Sequence, residues 1–319
     1  MTRREGYCKR VEILAEVTRS GFVESHHRGA IVRLNAAGDV AWSMGDPDLV
    51  IFPRSCNKPI QAVGMLRAGL SLRGRLLALA ASSHSGEQMH FDGVREILTQ
   101  AGLDDSALQT PPSYPLDPHT HADYIRAGGV RAPIAMDCSG KHAAMLLLCV
   151  EQGWAIDHYL DLDHPVQQAI VAAFEDLTGR PADAIGVDGC GAPLLATSLT
   201  RLARAVSAIV QSRPGTVERE LVDAMVGWPA YVSGSTRDEC ALMQAFPGAI
   251  AKSGAESVYV VAMPDGTTFA LKIDDGSDRA RATVMARAMK LAGYVHPVLD
   301  EVHPVLGGGL KVGELYAAF

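Results

Sequence analysis

The order of strand and helix patterns along the chain is the strongest constraint on its fold. Residues 12–42 and 249–273 have patterns typical of strands, whereas residues 55–226 are dominated by helical patterns. If the strands from both ends join one antiparallel sheet, the helical middle forms a lobe against the edge of that sheet. We therefore predict a mixed α/β (α+β) fold in a single domain over 1–319. Its sheet part would lie at about 1–54 and 245–319, and its helical lobe at about 55–244.

Individual elements can also be predicted from local patterns. A β-hairpin is expected within 12–42, with the polar segment 23–28 at one end of the sheet, and further strands are expected at 249–252, 257–262 and 268–273. The periodicity of apolar residues predicts helices over 55–70, 72–81, 91–101, 139–153, 165–179, 194–210, 217–226 and 279–292.

Composition excludes several classes of protein. The net charge of −7 argues against nucleic acid or an anionic membrane as the main partner. No uncharged apolar stretch reaches the ~18 residues that a membrane span requires. The first residues lack the apolar region of a secretory signal, so we expect a cytoplasmic location, where the six cysteines would be free, buried or metal-bound.

The first chemical motif is Ser55-x-x-Lys58, just ahead of the apolar run 59–66. On a helix, residues at i and i+3 share a face with β-carbons about 5–6 Å apart. A hydroxyl and an amine at that spacing can share a proton, which is how serine β-lactamases, penicillin-binding proteins and related amidases arrange nucleophile and base. Because a four-residue pattern recurs by chance in most chains of this length, the alternative to a catalytic pair is a solvated serine and lysine at the start of a helix.

Two further motifs favour the catalytic interpretation. Ser83 lies in a run of small hydroxyl residues at 82–87, where the Ser-x-x-Lys enzymes have a second hydroxyl that relays a proton. Lys252-Ser253-Gly254 follows a strand pattern and matches their Lys-Thr-Gly or Lys-Ser-Gly element, in which the glycine lets substrate lie close to the strand. Three elements in the expected order make a chance match improbable.

Cys138 and Cys190 lie in two distant polar loops that contain glycine. Two thiolates brought together in this way would form a soft site suited to zinc. Neither loop is a Cys-x-x-Cys motif, however, so two buried structural thiols remain the alternative on composition alone.

Together the motifs resemble those of the rhizobial-type (class 3, asparaginase II) L-asparaginases over about 23–313. The segments that carry the resemblance are Arg54-Ser55-Cys56-Asn57-Lys58-Pro59, Ser83-His84-Ser85-Gly86-Glu87, Asp137-Cys138-Ser139-Gly140-Lys141-His142, Asp188-Gly189-Cys190 and Lys252-Ser253-Gly254. The resemblance implies a serine β-lactamase/penicillin-binding-protein/glutaminase-like fold and a homodimer.

The resemblance also implies roles for individual residues. Ser55 would be the nucleophile and pair with Lys58, while Ser83 would pair with Lys252. One zinc ion per chain would be held by Cys138, Lys141 and Cys190, and would assist substrate binding. The implied substrate-binding residues are Arg54, His142, Asp188, Glu24 and Arg237.

We therefore predict an L-asparagine amidohydrolase that releases L-aspartate and ammonia from a small-molecule substrate. The alternatives are a glutaminase or another Ser-x-x-Lys amidase, and a zinc-binding protein without enzymatic activity on the same fold. The chain departs from better-known members at Cys56-Asn57, where small residues are common, and it is short between Val210 and Lys252. These departures could affect substrate choice and dimer contacts, respectively.

Overall fold

Residues 10–319, which a computed structural model describes, form strands towards both ends of the chain and mainly helices between them; Cys8 lies outside this range. The strands are β1 (Glu12–Arg19), β2 (Phe22–Leu34), β3 (Val40–Met44), β4 (Val50–Ile51), β5 (Ile185–Val187), β6 (Pro193–Leu195), β7 (Thr197–Ser198), β8 (Ile250–Gly254), β9 (Val258–Ala262), β10 (Thr268–Ile273), β11 (His303–Gly307) and β12 (Leu310–Ala317).

The helices of the same residues are mostly in the middle of the chain. They are α1 (Lys58–Arg67), α2 (Gly74–Ala80), α3 (Gln88–Gln100), α4 (Pro118–Arg126), α5 (Ser139–Gln152), α6 (Pro165–Thr178), α7 (Leu199–Val210), α8 (Val217–Gly227), α9 (Pro229–Val232), α10 (Asp238–Ala245) and α11 (Arg281–Leu291). Within 10–319, no helix is long and apolar enough to cross a membrane.

One antiparallel sheet combines strands from both ends of the chain, as predicted. Its order is β11-β12-β1-β2-β10-β9-β8, and β3 also pairs with β2. The two ends meet where β2 pairs with β10, for example at Val32 and Ala270. The predicted mixed α/β fold, with an antiparallel sheet built from both ends and a helical lobe, is therefore confirmed. The extent of a single domain over 1–319 stays a prediction.

Both faces of the sheet are covered near its centre. Every residue of β9 is buried, although successive side chains of a strand point to opposite faces. Helices α7 and α11 both pack on β9 and β10, and they supply this cover. The end of β8, which carries the Lys-Ser-Gly motif, is thus held against a rigid layer.

Helix α1 is the centre of the helical lobe. Of its ten residues, only Arg67 is exposed, which is typical of a helix surrounded by other elements. It packs closely on α6, since a β-carbon added at Gly64 would lie 2.8 Å from the Cα of Ile170. Its first residue, Lys58, is therefore fixed by the core.

Several predicted bounds were wrong. The segment 23–28 is part of β2 rather than an end of the sheet, because its alternating polar residues pair with β1. The helix predicted from residue 194 begins at Leu199, after the short strands β6 and β7. The helix predicted over 55–70 starts as a 3₁₀ turn, Arg54–Asn57, and becomes α-helical at Lys58. Ser55 and Lys58 therefore do not share a face of one regular α-helix.

Some elements had not been predicted at all. Strands β11 and β12 lie around the glycines at 307–309, and β12 pairs with β1. Helices α4 and α10 were also missed, and α4 has no buried residue, so it lacks the apolar stripe that reveals a helix in a sequence.

Candidate active site

Ser55 lies in the 3₁₀ turn between β4 and α1. The residue before it, Arg54, has a φ of +50°, a left-handed backbone conformation that is uncommon for a residue with a side chain. This conformation turns the chain sharply into α1. Ser55 is 9% exposed and lines a cleft of about 200 Å³, so its hydroxyl is accessible to a small ligand.

The end of β8 lies directly against the turn that carries Ser55. A β-carbon added at Gly254 would lie 2.8 Å from the carbonyl oxygen of Pro53 and 3.1 Å from the backbone nitrogen of Ser55. Any larger residue would force the strand and the turn apart. Cys56 strengthens the same junction, because its thiol donates a hydrogen bond of 3.0 Å to the carbonyl of Lys252. Cys56 is fully buried, so its side chain does not form a wall of the cleft.

Lys58 is hydrogen bonded to the loop that carries the second serine. Its Nζ donates to Oγ of Ser83 at 2.9 Å and to the carbonyl of Ser82. The side chain is 1% exposed, and its nearest carboxylate oxygen, Oδ2 of Asp137, lies 3.8 Å away. The resemblance implied pairs of Ser55 with Lys58 and of Ser83 with Lys252, whereas the hydrogen bond in residues 10–319 joins Lys58 to Ser83.

Lys252 is the second buried amine. Its Nζ donates a hydrogen bond of 2.7 Å to the carbonyl of Ser253. Burial, together with the positive charge of Lys58, lowers the pKa of Lys252 to about 8 against the opposing charge of Glu239. This lysine is thus able to exist as a neutral amine close to neutral pH.

The cleft carries charges of both signs. Besides Ser55 and Ser83, it is lined by the carboxylate of Asp137 and the guanidinium of Arg237. Arg237 was predicted to bind the substrate carboxylate, and it reaches the cleft. A cleft of this size and charge suits a small zwitterion.

Cys138 and Cys190 come together although their loops are distant in sequence. They pack on each other and on Ala192, and both are buried. Nζ of Lys141 lies 3.3 Å from Sγ of Cys190. The structure therefore brings together the three side chains that the resemblance implies as zinc ligands. In residues 10–319 no group of three or more His, Cys, Asp or Glu side chains could hold a metal, so any zinc site here depends on the lysine.

The chemistry of this donor set fits zinc only after two protons are lost. Burial lowers the pKa of Lys141, but the charges of Cys190, Cys138 and Asp188 outweigh it and raise the pKa. The pKa of Cys190 is lowered by a hydrogen bond from Cys138, against burial, and by the charge of Lys141. Two thiolates and a neutral amine would form a suitable ligand set, and zinc binding must then displace the protons of both Cys138, whose pKa is raised by its hydrogen bond with Cys190 and by burial, and Lys141.

Two carboxylates connect the thiols to the serine residues. Nε of Arg54 donates to Oδ1 of Asp188 at 2.7 Å, and Oδ2 of Asp188 lies 3.7 Å from Sγ of Cys190. Oδ2 of Asp137 lies 3.7 Å from Sγ of Cys138 and faces Lys58. Arg54 is thus committed to Asp188 and orders this junction.

The remaining predicted residues have different surroundings. His142 is buried beside Cys190, and its Nδ1 is hydrogen bonded to the hydroxyl of Tyr159 at 2.8 Å. Burial lowers the pKa of His142, against the opposing effect of the neighbouring Cys190. Glu24 lies on β2, forms an ion pair of 2.8 Å with Arg19 and is not among the residues that line the cleft. Its role in substrate binding stays a prediction.

The sequence analysis missed three residues of this site: Asp137, Glu239 and Ser253. Asp137 and Ser253 belong to the motifs that had been recognised, but only the structure shows that their side chains face the cleft. No feature of the sequence identified Glu239, because nothing in the neighbouring residues indicates that this carboxylate will be fully buried.

Comparisons with known proteins agree with the motifs. A family model described as L-asparaginase II matches residues 15–316. A search of curated proteins finds no match. Similar solved structures include a β-lactamase from Mycobacterium bovis, with 16% identity over 78% of this chain and 88% of that chain and a TM-score of 0.42. A β-lactamase/D-alanine carboxypeptidase from Pseudomonas syringae has 12% identity over 83% and 94%, with a TM-score of 0.43.

Proposed function

Because the chain belongs to the L-asparaginase II family, we propose that it hydrolyses the side-chain amide of L-asparagine to L-aspartate and ammonia. Membership of the family makes it an amidohydrolase of a small-molecule substrate. The observation that supports the finer assignment is the small cleft in which the accessible hydroxyl of Ser55 lies near the hydrogen-bonded pair of Lys58 and Ser83.

In this proposal Ser55 is the nucleophile. Its Oγ attacks the side-chain amide carbon, and its proton is taken up by one amine of the buried pair Lys58 and Lys252. Ser55 and Ala255 both line the cleft, and their backbone N–H groups would be the donors for the oxyanion.

The C–N bond then breaks, and Ser83 passes a proton from Lys58 to the departing ammonia. A β-aspartyl ester remains on Ser55. Water attacks this ester and loses a proton to the lysine pair. The bond between the acyl carbon and Oγ of Ser55 then breaks, the same proton passes from the lysine pair to Oγ, and L-aspartate is released.

We propose that Cys138, Lys141 and Cys190 hold one zinc ion per chain. When bound, zinc would supply a fixed positive charge that helps to bind substrate. Asp188 and His142 lie beside these ligands and would orient the substrate, while Arg237 would bind its α-carboxylate.

Ammonia release from L-asparagine and L-glutamine, measured side by side with and without a chelator, tests the proposal. We expect release from L-asparagine to exceed that from L-glutamine, although one methylene contributes only about 1–3 kcal/mol to discrimination. The chelator should weaken activity at low substrate. Equal or faster release from L-glutamine would favour the glutaminase alternative. No release from either amide, with one zinc bound per chain, would favour the zinc-binding protein.

A Ser55→Ala variant separates the enzyme from that last alternative. Removal of the nucleophile should lower kcat by at least about a thousandfold and leave zinc content unchanged, because zinc binding does not need this hydroxyl. Activity retained by the variant would contradict the role of Ser55.

We also propose that the chain forms a homodimer in the cytoplasm. Light scattering of the purified protein tests the dimer, and a monomeric mass would contradict it. Cell fractionation tests the location.

A further inference from the structure

One buried carboxylate beside the cleft has no part in the proposed hydrolysis. Glu239 lies in the first turn of α10 and is completely buried. An ionised carboxylate is costly to bury unless its partners satisfy it. The groups that surround Glu239 therefore indicate what it does.

Glu239 belongs to a closed ring of hydrogen bonds with Arg237 and Ser253. The hydroxyl of Ser253 donates to Oε1 of Glu239. Nη2 of Arg237 lies 3.2 Å from the same oxygen, and Nε lies 3.3 Å from Oε2. Nη2 of Arg237 also donates to Oγ of Ser253 at 3.2 Å. Arg237 and Ser253 both line the cleft.

The types of donor and acceptor determine the direction of each bond in this ring. Burial raises the pKa of Glu239, but the charges of Arg237, Lys252 and Arg281 outweigh it and hold the pKa well below its usual range, so the group is ionised. An ionised carboxylate only accepts hydrogen bonds, and a guanidinium only donates them. The single proton of Ser253 is thus directed to Glu239. One lone pair of the Ser253 hydroxyl oxygen accepts a hydrogen bond from Arg237.

Ser253 is left with one lone pair and no proton, so it can only accept a hydrogen bond from a ligand in the cleft. We propose that Ser253 accepts a hydrogen bond from the α-ammonium group of the substrate, and that Glu239 is the positioning residue that turns its hydroxyl for this purpose. This inference rests on the proposed function and names the part of the substrate that Ser253 recognises.

The α-ammonium group is the N–H donor of the substrate that fits beside Ser253. The second N–H donor of the substrate, its side-chain amide, must lie at Ser55 and Ser83, where ammonia departs. The Nη1 group of Arg237 makes no hydrogen bond within residues 10–319, so it can bind the α-carboxylate. The ammonium is attached to the same carbon, and the charge of Glu239 polarises the oxygen of Ser253 in favour of a cation.

Calorimetric binding of L-aspartate and succinate to the zinc-loaded protein tests this inference. The two ligands differ only in the amino group. We expect the chain to bind L-aspartate at least about tenfold more tightly than succinate, as a charge-assisted hydrogen bond requires. In Ser253→Ala the two ligands should bind with about equal affinity. Ser253→Thr keeps the hydroxyl and should keep the preference for L-aspartate.

Glu239→Gln tests the positioning role. The amide of glutamine can donate as well as accept, so the proton of Ser253 is no longer held away from the cleft. We expect the preference for L-aspartate to disappear while the affinity for succinate stays within about threefold of the original value. If Glu239 had a merely structural role, the substitution would instead lower the affinities for L-aspartate and succinate equally. That result would overturn the positioning role of Glu239.

The outcomes separate this inference from the proposed function. A wild-type protein that binds both ligands equally, or neither, overturns the inference even if it hydrolyses L-asparagine. A protein that releases no ammonia from L-asparagine but keeps the preference, and loses it in Ser253→Ala, refutes the proposed function and supports the inference.

Discussion

Nζ of Lys58 lies 2.9 Å from Oγ of Ser83, and the hydrogen bond between them connects the first turn of α1 to the loop after α2. Both groups are buried, and the lysine is anchored further by the carbonyl of Ser82. The hydroxyl of Ser83 is therefore held where it can exchange a proton with this amine.

Two neighbouring serines allow a matched test of this pair. Ser83→Ala should lower kcat/KM for L-asparagine by about 10²–10⁴-fold, the usual contribution of a positioned proton-transfer group. Ser82→Ala should leave activity nearly unchanged, because Ser82 contacts Lys58 through its backbone and its buried hydroxyl has no partner within residues 10–319. Equal losses in both variants would contradict the role of Ser83.

The contact of Gly254 with the nucleophile turn predicts a second effect. Gly254→Ala places a methyl group within 2.8 Å of the carbonyl of Pro53. The resulting shift should cost about 1–3 kcal/mol of stability and lower kcat/KM about a hundredfold by displacing Ser55. Thermal unfolding and ammonia release measure the two effects.

Gly227→Ala is the control for this change, because nothing lies within 4 Å of a β-carbon added there. We expect it to alter stability by no more than about 0.5 kcal/mol. If Gly254→Ala behaved in the same way, the close approach of β8 to Ser55 would have no functional importance.

The lowered pKa of Lys252 predicts the pH dependence of the reaction. Since the neutral amine takes up a proton, kcat/KM should increase with pH about tenfold per unit below the pKa of the group. It should level off above about pH 8, where Lys252 is neutral. Lys252→Arg keeps a permanent charge and should abolish this increase together with most activity. A flat profile across that pH range in the wild-type chain would exclude this lysine as the group that titrates.

The proposed zinc site predicts a difference between two buried thiols. Cys138→Ala should remove zinc and raise KM for L-asparagine at least about tenfold, with a smaller effect on kcat. Cys149, which is buried within α5, lies outside the thiol cluster, so Cys149→Ala should keep its zinc. Elemental analysis and steady-state kinetics measure both properties. Zinc retained in Cys138→Ala would contradict the ligand set.

The sequence by itself was sufficient for the fold class and for the motifs. Strand and helix patterns depend on neighbours within a few residues, so the sheet segments near both ends and the buried helix α1 could be predicted locally. The same is true of Ser55, Lys58 and the Lys-Ser-Gly motif, which are recognised by spacing. Local patterns were insufficient for β11 and β12, because β12 becomes a strand through pairing with the distant strand β1, and β11 pairs in turn with β12.

Only the tertiary structure decided how these side chains pair and titrate. Lys58 is hydrogen bonded to Ser83 rather than to Ser55 because the loop after α2 packs over the start of α1. Lys252 has a lowered pKa because the fold removes it from water and places Lys58 near it. Glu239 becomes an ionised partner of Ser253 because α10 and β8 meet. Hydrogen-bond direction and burial are set by segments far apart in the chain, and spacing along the sequence carries no record of them.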